Sequence, residues 1–101
     1  MSSQSLIIRF KYPKAELEPL YELEEKLAEA LEEAGAGDYE GHEMDMSGKQ
    51  GEMTMTGPDA RALWDAVHPV LESIRFMRGA DAELRLGPGE DAETEEMTVG
   101  S

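Results

Sequence analysis

The spacing of apolar residues changes period along this chain, and that change limits the fold more than any other feature. Leu6, Ile8, Phe10 and Tyr12 alternate with Ile7, Arg9 and Lys11, the period of a strand with one covered face. Pro13 ends it. Leu20, Leu23, Leu27, Ala30, Leu31 and Ala34 then recur at three- and four-residue spacing, one stripe of a helix. Pro19 suits that helix's first position, where a missing N–H costs nothing, and Gly35 and Gly37 supply its stop.

The period then returns to two. Tyr39 to Met46 predicts a strand with Met44 and Met46 inward, His42 at their margin, and Glu43 and Asp45 outward. Ser47 to Gly51 reads as a turn. Glu52 to Thr56 returns with Met53 and Met55 inward. Leu63, Val67, Val70 and Ile74 form a second helical stripe opened by Gly57-Pro58-Asp59, with Pro58 at its first position and Asp59 complementing the dipole. Pro69 removes one backbone bond and predicts a bend near Asp65. Asp81 to Leu86 is the last predicted strand, with Ala82, Leu84 and Leu86 inward, and Gly87-Pro88-Gly89 breaks it. Residues 90 to 101 are polar and acidic and read as a disordered tail beyond a single domain spanning 1 to 89.

The order is βαββαβ. Right-handed crossovers turn it into a ferredoxin-like α+β sandwich, a four-stranded antiparallel sheet with both helices on one face.

Charge excludes more functions than any motif suggests. Nine basic against 23 acidic residues give a formal net charge of -14. Such a surface repels nucleic-acid phosphates and anionic membranes, and attracts a basic protein partner. The absence of cysteine removes thiolate catalysis and Cys-ligated metals. The apolar run Leu6-Ile7-Ile8, closed by Arg9, is far too short for a signal segment or a membrane span, so the expected location is cytoplasmic.

Several activities hosted by this architecture lack their residues here. The expected open sheet face carries Ile7, Arg9, Lys11, Glu43, Asp45, Glu52, Thr54, Glu83 and Arg85, with no aromatic on which an RNA base could stack. Paired cysteines of a copper chaperone are missing. The loop Tyr12-Pro13-Lys14-Ala15-Glu16 has none of the glycines with which an acylphosphatase cradles phosphate. The segments Gly57-Pro58-Asp59-Ala60, Leu63, Pro69, Leu71, Arg78-Gly79-Ala80 and Leu84-Arg85-Leu86-Gly87 resemble small bacterial proteins of ferredoxin-like fold with no assigned activity. The likeness reaches back to Glu22-Leu23-Glu24 and Gly41-His42-Glu43. It implies the fold and brings no site residues with it.

Glu40, His42, Glu43 and Asp45 are the one His/carboxylate cluster, yet strand alternation points Glu40 and His42 to one face and Glu43 and Asp45 to the other. No metal or other cofactor is expected there. The alternative to a metal site is an edge strand whose charges discourage pairing with other chains. Trp64 and His68 lie one turn apart, as a half-buried stacked pair or the lining of a ligand pocket. No nucleophile–base pair is legible, so a non-catalytic protein is expected. Residues 15 to 48 hold twelve acids against Lys26 alone. Glu25, Glu29 and Glu33 stack at four-residue spacing, where like charges repel. Glu32 and Glu33 also sit where the helix dipole disfavours anions. A solvated face kept for solubility would look like this. So would a docking face for a basic protein, formed by Glu22, Glu25, Glu29, Glu32, Glu33, Glu43 and Asp45, as in an inhibitor or immunity-type protein. The alternative is a small-molecule or metal-binding regulatory domain with a pocket near His42 or His68.

Overall fold

The computed structural model describes residues 4–12, 16–87 and 92–100. Its elements are β1 (Gln4–Lys11), α1 (Glu18–Ala34), β2 (Asp38–Met44), β3 (Gln50–Gly57), α2 (Ala60–Glu72), a 3-10 turn (Arg75–Met77), β4 (Asp81–Arg85) and β5 (Thr94–Thr98). They form an α+β fold around one antiparallel sheet in the order β2-β3-β1-β4-β5.

The sheet therefore has five strands, not the expected four. Residues 92–100, read from sequence as part of a disordered tail, return along β4. Glu83 lies opposite Glu96 and Ala82 opposite Met97. Leu86 N–H donates to the Glu93 carbonyl at 2.8 Å, Gly79 N–H to Val99 at 2.8 Å, and Val99 N–H to Ala80 at 3.0 Å. Val99 is 1% exposed and belongs to the core. Glu95 reaches Arg61 at the start of α2, at 2.7 Å. Pro13 and Lys14, and Pro88 to Asp91 where the strand break and the tail were expected to meet, lie outside the described residues.

The central strands keep the predicted faces. Leu6, Ile8, Met53, Met55, Ala82 and Leu84 are buried under the helices. The α1 stripe Leu20, Leu23, Leu27 and Leu31 and the α2 stripe Leu63, Val67 and Leu71 cover them. Gly35 caps α1 in the left-handed conformation (φ 61°). Gly37 (φ 153°) lies so close to β3 that a Cβ there would sit 2.1 Å from the Thr56 carbonyl oxygen. That contact joins the end of α1 to the β2–β3 hairpin.

Helix α2 begins two residues later than expected, at Ala60 rather than Pro58. Asp59 is its N-cap, accepting from Arg61 N–H at 3.0 Å, and Pro58 stands outside. The helix runs through Pro69 to Glu72. The hairpin also departs from simple alternation. Tyr39 faces Met55, but Gly41 faces Thr54, so Glu40 is an extra residue in a β-bulge. Strand β2 ends at Met44, and Met46, expected inward, is fully exposed.

Candidate functional site

The bulge decides what β2 presents. It places Tyr39 and His42 on the helix side of the sheet and sends Glu40 to the open side, where its carboxylate accepts from the Thr56 hydroxyl at 2.6 Å. On the helix side, Glu24 of α1 reaches down between them. One of its oxygens, Oε2, accepts from Tyr39 Oη at 2.7 Å and lies 2.8 Å from His42 Nδ1. A carboxylate only accepts, so Nδ1 carries the proton. The Tyr21 ring stands 6.3 Å from the His42 ring. Burial first, and then the Glu24 carboxylate, pushes the Tyr39 phenol well above its ordinary range. These four side chains tie α1 to β2, the edge of the sheet.

Sequence reading placed His42 but not its partners. Glu24 was one acid among twelve, and Tyr39 belonged to a weak strand. Gly41 was the available signal, since an isolated glycine within a strand pattern points to a bulge.

The acids expected to form a docking face divide into two groups. Glu22, Glu25, Glu29, Glu32 and Glu33 are exposed on the outer side of α1. No hydrogen bond or ion pair engages their carboxylates among the described residues. Glu43 lies opposite Glu52 on the open face, across the sheet from α1. Asp45 follows in the turn, and the Ser47 hydroxyl, donating at 2.7 Å, together with the turn amides holds its carboxyl below the usual range.

Some charges elsewhere are paired. Arg9 bridges Glu52 and Glu83 at 3.3 Å each, and Arg85 meets Glu83 at 3.1 Å. The Trp64 and His68 rings stack at 5.4 Å, half-buried, with His68 Nδ1 3.0 Å from Glu72. A groove of about 700 Å³ lies at the sheet end among Phe10, Lys11, Met44, Gly51, Phe76 and Arg78. Its charged groups are of both signs. A shallower notch of about 280 Å³ opens beside Gly41, lined by Glu40, His42, Glu43, Glu52 and Thr54. No three ligating side chains converge among the described residues. No described helix is long and apolar enough to cross a membrane.

The chain matches no family model, no curated protein and no solved structure.

Proposed function

We propose that this protein is a non-catalytic binding module that docks a basic protein through the acidic outer side of α1, in the manner of an inhibitor or immunity-type protein. One observation carries the reading. Among the described residues the five carboxylates there have no hydrogen-bond or ion-pair partner, while Arg9, Arg61 and Arg85 are each engaged by acids elsewhere. Stacking Glu25, Glu29 and Glu33 costs a few tenths of a kcal/mol per pair. A retained local cost is what a docking surface requires, because complementary charge mainly raises association rate and selects the partner.

The test compares the parent with the Glu29→Lys/Glu33→Lys variant. Proteins from a host extract retained by the immobilised parent and lost by the variant are identified, and their association rates are followed against salt. The expected partner is basic, associates more slowly as salt rises, and associates more slowly still with the variant. Equal retention by the two proteins would leave the acidic side as a solvated surface only.

A further inference from the structure

We infer that the partner's contact element is a short extended segment rich in arginine, which adds to the outer edge of β2. The inference rests on the docking reading above and specifies its geometry. Asp45 N–H donates to the Gln50 carbonyl at 3.0 Å, and the register continues through Glu43 opposite Glu52 and Gly41 opposite Thr54. In an antiparallel ladder alternate residues bond inward, so the backbone groups of His42 and Met44 face away from the sheet. Strand β2 is the edge of the sheet, and among the described residues no strand pairs with that side.

The helix above this edge is not uniformly polar. Glu24 bonds across to β2, and Leu17, Tyr21 and Ala28 follow its stripe at helical spacing. Leu17 is 41% and Tyr21 51% exposed, two of the few large apolar side chains left in water. Glu25 lies beside them. A strand laid along β2 sends its side chains alternately to the two faces of the sheet. One set meets Tyr21 and Glu25, and the other meets Glu43 on the open face. No other single element reaches both groups of acids, which the sheet keeps apart. Arginine suits both sides, stacking its plane on Tyr21 and pairing with carboxylates. A second copy of β2, paired antiparallel about Glu43, would set Glu43 against its equivalent and is disfavoured. The bulge at Glu40 limits the added pairing to Gly41–Met44.

The probe is a short capped peptide of alternating arginine and valine, with a control in which the central valines are proline. Binding is followed by amide chemical shifts and amide exchange on the whole chain. The expected result is slowed exchange at His42 and Met44, about tenfold weaker binding of the proline peptide, which cannot form the ladder, and weaker binding by Tyr21→Ser. Shifts confined to α1 with equal affinity for both peptides would refute strand addition and leave the docking reading intact. No binding of either peptide at low salt would remove both.

Discussion

Val99→Ala tests the feature of the fold that departs most from its sequence. Truncating the whole strand is a poor experiment, because the lost contacts are offset by the conformational entropy released, about 1–2 kcal/mol for each residue freed. The single substitution leaves chain entropy almost unchanged and reads the docking alone. Val99 is 1% exposed. Removing two methyl-sized groups costs about 1.6 kcal/mol in transfer free energy, and about 2–3 kcal/mol once the cavity is included. In a domain of this size each kcal/mol moves the midpoint by about 4–8 °C, so a fall of about 10 °C or more is expected in thermal unfolding followed by circular dichroism. Met97→Ala is the internal comparison. Met97 faces the same side but is 37% exposed, so its loss is the smaller. A Val99→Ala midpoint equal to that of the parent would mean that β5 does not dock, and the four-stranded reading would be restored.

Glu24→Ala leaves Tyr39 Oη and His42 Nδ1 without their shared acceptor and should cost about 1–3 kcal/mol in urea unfolding; no loss would show that water replaces the carboxylate freely. Burial raises the phenols of Tyr39 and Tyr12 above their ordinary 10.0. The folded state holds the neutral form, so this stability is complete below pH 10 and falls as the pH rises further. Phenolate absorbance should therefore appear together with unfolding, and titration of all three tyrosines in the intact fold would contradict the burial. Glu29→Lys/Glu33→Lys should melt higher, by about 0.5–1.5 kcal/mol of stability, through a new pair with Glu25 and a cation near the helix C-terminus; a lower midpoint would mean that these positions are not solvent-facing. Met55→Asp should abolish folding, since Met55 is fully buried, whereas Met46→Asp should melt like the parent. Equal behaviour of the two would shift the hairpin register.

The sequence determined the parts that depend on side-chain burial. Leu6, Ile8, Met53, Met55 and Leu84 face the core because alternation leaves them one apolar side, and the two leucine-rich stripes of α1 and α2 must cover it. Tertiary structure decided what backbone pairing controls. Thr94–Thr98 carries two adjacent glutamates and a single methionine, yet it becomes a strand because β4 offers it an open edge, and main-chain N–H and C=O groups bond regardless of side chain. The bulge at Glu40 is a register event of the same kind. One extra residue brings Tyr39 and His42 to the same carboxylate of α1 and leaves Glu43 on the opposite face. Alternation alone cannot foresee that, because a shift of one residue exchanges every face beyond it.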